Sequence, residues 1–169
     1  MRLPAEVIGR FDHAGDANSL LYTPLSEKLT ARHTRRYLVD YTGDEKALTA
    51  FLAKVLADPV SHELRTGEAP ALDGYSFYLD YGMKAGALDH EKETILALHR
   101  STAAAASATA AGNDAGSAPN ESGPAFTITG LKINHRVYLY GPEGTAAHAD
   151  RFVRDIVNPA IHTWQVTAA

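Results

Sequence analysis

Leu52–His62 reads LAKVLADPVSH, and one hundred residues later Phe152–His162 reads FVRDIVNPAIH. Each stretch carries an apolar stripe, then Asp or Asn followed by Pro, then two residues and a His. In the first, Ala47, Leu48, Phe51, Leu52, Val55 and Leu56 fall three and four apart, which predicts a helix from Asp44 to Ala57 with one buried side. Gly43 supplies a turn and Asp44 an N-cap, while Asp58-Pro59 ends the helix because a residue before proline avoids the helical region. In the second, Ala149, Phe152, Val153, Ile156 and Val157 make an equivalent stripe, stopped by Asn158-Pro159.

Working outward, the flanking segments alternate with the period of strands. Tyr75, Phe77, Leu79 and Tyr81 face one way, and Ser76, Tyr78 and Asp80 the other. Phe126–Leu131 and His135–Tyr140 read as two strands joined by a short turn around Asn134, and Ala160–Val166 as a closing strand. A helix from His90 to Arg100 would turn Ile95 and Leu98 inward. From Tyr75 to Val166 the order is βαββαβ, which predicts an α+β, ferredoxin-like sandwich of four antiparallel strands under two helices.

The first half offers a strand near Glu6–Phe11, a less regular Leu20–Leu29 region, then strand, helix and strand from Arg36 to Leu64. Leu38-Val39 matches Tyr138-Leu139, and Leu52 and Leu56 match Phe152 and Ile156, at the same spacing as the proline turns. The expectation is an internal duplication, with one module in residues 1–70 and a second in 71–169. Ser101–Pro124 holds no Leu, Ile, Val or aromatic residue. Its alanines favour an extension of the preceding helix, and its Gly- and Ser-rich end has the composition of a low-complexity insertion.

Composition narrows the function classes. Net charge is −4, and the densest basic group is only Arg32, Arg35 and Arg36, which argues against nucleic acid. The absence of cysteine excludes disulfides, thiol catalysis and zinc–thiolate sites, and fits a reducing cytoplasm. No apolar run near the N-terminus has the length of a membrane anchor. The eight histidines (13, 33, 62, 90, 99, 135, 148 and 162) include no H-x-x-x-H pair, so no metal site is expected, although duplication could bring His62 and His162 together. Gly141-Pro142-Glu143-Gly144 lacks the lysine of a phosphate-binding loop and reads as a strand-to-helix turn. Asp89, Glu91 and Glu93 suit the positive end of a helix dipole. No serine lies in a nucleophile motif, and neither a catalytic residue nor a cofactor is expected.

Four pieces in order resemble one family. Lys84-Ala85-Gly86-Ala87-Leu88-Asp89 resembles its K-x-G-V-x-D-P element, Ile95 and Leu98 its helix, His135–Tyr140 its hairpin strand, and Phe152–His162 its closing L-L-A-N-P-V-I segment. That family is PurS, the small subunit of phosphoribosylformylglycinamidine synthase. The chain departs from it at His90, where proline is usual, and at Asn134-His135-Arg136, where Gly-Lys is usual. The resemblance implies two PurS-like modules fused as a pseudo-dimer with packed sheets, either a tandem subunit or the N-terminal domain of a large single-chain synthase.

By the same resemblance the chain is a non-catalytic assembly component in purine biosynthesis. It would bridge a PurL-type synthetase and a PurQ-type glutaminase for ammonia transfer, with further homo-oligomerisation open. The interface residues expected are Tyr75, Phe77, Tyr78, Asp89, Tyr138, Tyr140, Asn158, Pro159 and His162. A sheet with both helices on one side leaves an aromatic-rich face to bury. The alternative expectation is a tandem ACT-like module that binds amino acids between paired domains. A third is a small enzyme of the dimeric ferredoxin-like barrel type, working with His or Tyr in an open cavity.

Overall fold

A computed structural model describes residues 1–111 and 125–169, so the Gly- and Ser-rich end of the insertion lies outside the described residues. The fold is α+β. Its strands are β1 (Arg2–Gly9), β2 (Gly15–Asp16), β3 (Thr30–Gly43), β4 (His62–Thr66), β5 (Phe77–Met83), β6 (Phe126–Tyr140) and β7 (His162–Ala168). Its helices are α1 (Glu45–Leu56), α2 (His90–Ala111) and α3 (Ala149–Ile156). The strands form one antiparallel sheet in the order β4-β1-β3-β6-β5-β7, with β2 beside β3.

The helix signals are realised as local chemistry. Asp44 accepts the amide hydrogens of Lys46 and Ala47, capping α1. Gly43 precedes it at φ 99, where a side chain would also meet the carbonyl oxygen of Ala125. The two proline turns share a geometry. Asp58 Oδ1 accepts from Val60 N at 2.9 Å and Asn158 Oδ1 from Ala160 N at 3.0 Å, while the carbonyls of 58 and 158 accept from His62 and His162. At α2, Asp89 accepts the amide hydrogen of Lys92, and the alanines carry the helix to Ala111. Ile95 is buried as expected, but Leu98 is exposed and His99 turns inward instead, against Phe51 and Phe126.

The hairpin expected at Asn134 is absent. β6 runs unbroken from Phe126 to Tyr140, because Asn134-His135-Arg136 contains neither glycine nor proline and β3 offers a partner along its whole length. The second half is therefore β-α-β-α-β rather than βαββαβ. In the first half no α-helix separates β1 from β3, only a 3-10 turn at Ala17–Leu20. The two halves meet edge to edge through β3 and β6, not face to face.

Register repeats across that seam. Arg35 pairs with His135, so residues one hundred apart face each other at the centre of the sheet. On β1, Glu6 lies between Arg36 and Arg65; on β5, Asp80 lies between Arg136 and Gln165.

All three helices lie on one face. α1 and α2 cover Leu3, Ala5, Tyr37, Val39, Leu131 and Ile133, with Leu48, Leu52 and Ile95 pointing down. α3 and the Ala17–Leu20 turn cover Ala31, Phe77, Val137 and Leu139, with Phe152 at the centre. Burying each large apolar side chain of this layer stabilises by about 1.5–3 kcal/mol. The other face is crossed by the β4–β5 connection, whose Ala71 and Leu72 pack with Ile8, Tyr78 and Tyr138.

Candidate functional site

Beneath that connection lies a buried ionic centre. Arg136 is 1% exposed and grips Asp80 with two nitrogens, Nε to Oδ1 at 2.6 Å and Nη2 to Oδ2 at 2.7 Å. Its Nη1 donates to Glu6 Oε2 at 2.9 Å, and its guanidinium lies 4.2 Å from the ring centre of Tyr78. Glu6 is also bonded by the hydroxyls of Tyr138 (2.7 Å) and Thr34 (2.6 Å) and by the amide of Ala71 (3.3 Å). Four donors use the full accepting capacity of its carboxylate. Arg36 approaches the same Asp80 at 3.6 Å and donates to exposed Glu68.

Two carboxylates and two guanidiniums make this centre neutral, which is how four ionised groups remain in a largely buried site. Burial works against the charge of Arg136, but the bonds to Asp80 outweigh it and raise its pKa. Burial, then the bond to Glu6, raises the pKa of Tyr138. Every group is tied to another, so the arrangement holds strands β1, β3, β5 and β6 and the β4–β5 connection together and presents no free acid or base.

The opposite face carries a groove of about 840 Å3 between the C-terminal end of α1 and the first turns of α2. Its floor is sheet: Val7, His33, Arg35, Tyr37 and His135, with Tyr81 stacked on His135 at 5.1 Å. Val55 and Leu56 of α1, and Ile95 and Leu98 of α2, form apolar walls. Glu91, in the first turn of α2, is held by Arg35 and by the Tyr37 hydroxyl at 2.6 Å. Partial burial lowers the pKa of His33, opposed by Asp12; burial and then Arg35 lower that of His135. The groove thus offers imidazoles, the Arg35–Glu91 pair, the Asp12 carboxylate and apolar walls, the ordinary make-up of a small-molecule or peptide cleft. Among the described residues no three His, Asp or Glu side chains converge as a metal site. His62 and His162 begin β4 and β7 at opposite edges of the sheet, so they do not meet.

The residues expected at an interface separate into three places. Phe77 and Tyr138 have no exposed surface, so an external partner meets neither; Phe77 lies under α3 against Phe152, and Tyr138 in the ionic centre. Tyr75, Tyr78 and Tyr140 gather around Tyr138 on the face away from the helices, with Tyr75 and Tyr140 partly accessible. Asn158 and Pro159 lie in the turn before β7, and that turn touches the Lys84–Asp89 segment. Lys84 Nζ donates to the Pro159 carbonyl at 2.6 Å, and Lys84 N to that of Ile161 at 2.8 Å. His162 packs on Tyr81 at 5.3 Å.

The sequence does not mark Glu6, Thr34, Arg36, Asp80 and Arg136 as parts of one site. The available signal was a lone charge inside each apolar strand: Asp80 within Phe77–Tyr81, and Arg136 before Val137–Tyr140. No family model matches this chain, and comparison with curated proteins and with solved structures returns no match.

Proposed function

We propose that the chain is a fused pair of PurS-like modules, a non-catalytic assembly component of phosphoribosylformylglycinamidine synthase acting in the cytoplasm. The observation that carries this reading is the repeated register. Arg35 faces His135, and the ladder Arg65–Glu6–Arg36 of one half recurs as Gln165–Asp80–Arg136 in the other. Two open-faced modules joined through equivalent strands give such a ladder, as a pseudo-dimer in one chain should.

The reading also draws on the contact between Lys84 and the Pro159 turn, which unites two family-like segments on one exposed end. Asp89, Asn158 and Pro159 then form the surface offered to the synthetase and the glutaminase, with Tyr75 and Tyr140 as a second patch. The ionic centre makes the platform rigid. The test is co-purification of the chain with the PurL-type synthetase and PurQ-type glutaminase from the same source. Recovery of both, and their loss when Asn158 and Pro159 are replaced by Lys and Ser, is the expected outcome; recovery of neither with the unaltered chain ends the proposal.

The groove favours a second reading, the ACT-like module. It sits at the seam between the halves, and Arg35, Glu91 and its apolar walls suit the carboxylate, amine and side chain of an amino acid. A thermal-shift screen with the common amino acids tests it: stabilisation by one or a few, abolished in Arg35→Met, is required.

A further inference from the structure

The two edges of the sheet are built differently. β4 is five residues long and carries Glu63 and Arg65, paired at 2.8 Å. Arg10 Nε donates to the His62 carbonyl at 2.9 Å, and Arg65 Nη1 ties the strand to the Ala71 carbonyl at 2.6 Å. Short length and interleaved charge are the usual protection of an edge. β7 is seven residues, His162-Thr163-Trp164-Gln165-Val166-Thr167-Ala168, without a carboxylate, lysine or arginine. Among the described residues it pairs with β5 alone. The groups of an antiparallel strand point alternately to its two sides, so half its backbone donors and acceptors face outward.

Trp164 and Val166 are 47% and 37% exposed. Trp164 lies opposite Tyr81 and Val166 opposite Leu79, so both stand on the helix face of the sheet.

We infer that β7 is a self-association edge, pairing antiparallel with β7 of a second copy about a two-fold axis at Gln165. In that register Trp164 meets Val166 of the other copy twice, Thr163 meets Thr167, and His162 meets Ala168. Each apolar side chain exposed on one copy thus gains an apolar cross-strand neighbour, and no charges on β7 oppose each other. A second copy is preferred over a head-to-tail β7–β4 contact, because β4 is shorter and charged and that contact would propagate without closing. The closed dimer carries one sheet through both copies.

Trp164 is the single tryptophan of the chain, so its fluorescence reports on this edge. The experiment is sedimentation velocity and tryptophan emission on the whole chain, from nanomolar to near-millimolar concentration. The expected result is a concentration-dependent mass of two chains, with an emission maximum that shifts to the red on dilution along the same curve. Val166→Lys, which keeps the reporter and brings two like charges beside the axis, weakens association by more than about tenfold. Val166→Pro, which removes a backbone donor on the outward side of β7, does the same, while Glu63→Val on the other edge leaves the monomer–dimer curve unchanged.

Circular dichroism checks that each variant is folded. Hydrogen exchange of β7 amides in the unaltered protein, slower at high concentration, gives a readout independent of any variant. A monomer at all concentrations, a dimer indifferent to both β7 substitutions, or β7 exchange independent of concentration overturns the inference. So does a series of species beyond the dimer, which indicates head-to-tail pairing. None of these outcomes depends on the synthetase or glutaminase.

Discussion

Arg36 and Arg136 stand one hundred positions apart on neighbouring strands, each opposite a carboxylate of the next strand outward, and both reach Asp80. Their surroundings differ. Arg136 is sealed beneath the β4–β5 connection and bonded to two acids and a tyrosine; Arg36 keeps a long contact to Asp80 and spends a nitrogen on Glu68, which is 78% exposed. The connection runs from β4 over the seam to β5, and it packs Ala71 and Leu72 against Tyr138 and Tyr78 beside Arg136 but offers Arg36 only the exposed Glu68. Matched residues at matched register therefore take different roles, because the covering segment is not matched.

The largest expected effect comes from attacking that difference. Arg136→Met removes the guanidinium that pairs both buried carboxylates, leaving Arg36 at 3.6 Å from Asp80, and should cost about 3–5 kcal/mol in urea unfolding. Arg36→Met should cost about 1 kcal/mol, since Glu68 is already in water. Equal losses would mean that the two arginines do the same work.

The helix layers provide the next comparison. Leu52 and Phe152 occupy equivalent places and both are fully buried. Leu52→Ala and Phe152→Ala should each cost about 2–5 kcal/mol. They belong to different apolar clusters, so the double variant should add to within about 0.5 kcal/mol. A larger coupling, measured by the same unfolding curves, would show one core spanning the seam.

Capping separates the helices further. α1 has Asp44 as its N-cap, while α3 has no side-chain cap. Asp44→Ala should lower stability by about 1 kcal/mol, and His148→Ala, at the corresponding place before α3, should leave it nearly unchanged.

The smallest effect is acid sensitivity. His99, His33 and His135 have pKa values held below the ordinary 6.5, chiefly by burial. His99 Nε2 accepts the amide hydrogen of Ile128, a bond that protonation removes. The unfolded chain takes up these protons first. The corresponding stability is therefore present above the unfolded value and lost as pH falls through the folded ones. Unfolding free energy measured from neutral to mildly acidic pH should decline, and less steeply in His99→Gln. An unchanged slope would remove His99 as a source.

Much of the secondary structure was legible because its causes are local. The stripes of α1 and α3, the Asp44 cap and the two proline turns are written within a few residues of where they act. At Asn134 alternation on both sides of a polar triplet fits either two strands or one, and only β3 as a partner decides. Spacing alone turns Leu98 inward, yet the surface that α2 meets takes His99. The ionic centre was least visible: Glu6 and Arg136 are 130 positions apart, and each reads alone as a surface charge.

The amino-acid sequence by itself determined the helices, the turns that stop them and the faces of the strands, since periodicity, capping and proline sterics operate over a single turn or a pair of residues. Tertiary structure alone decided which strands pair, where the helix layer parts to leave the groove, and which charges are buried. Those depend on segments far apart in the chain coming to lie across one another, and on the shielding that results.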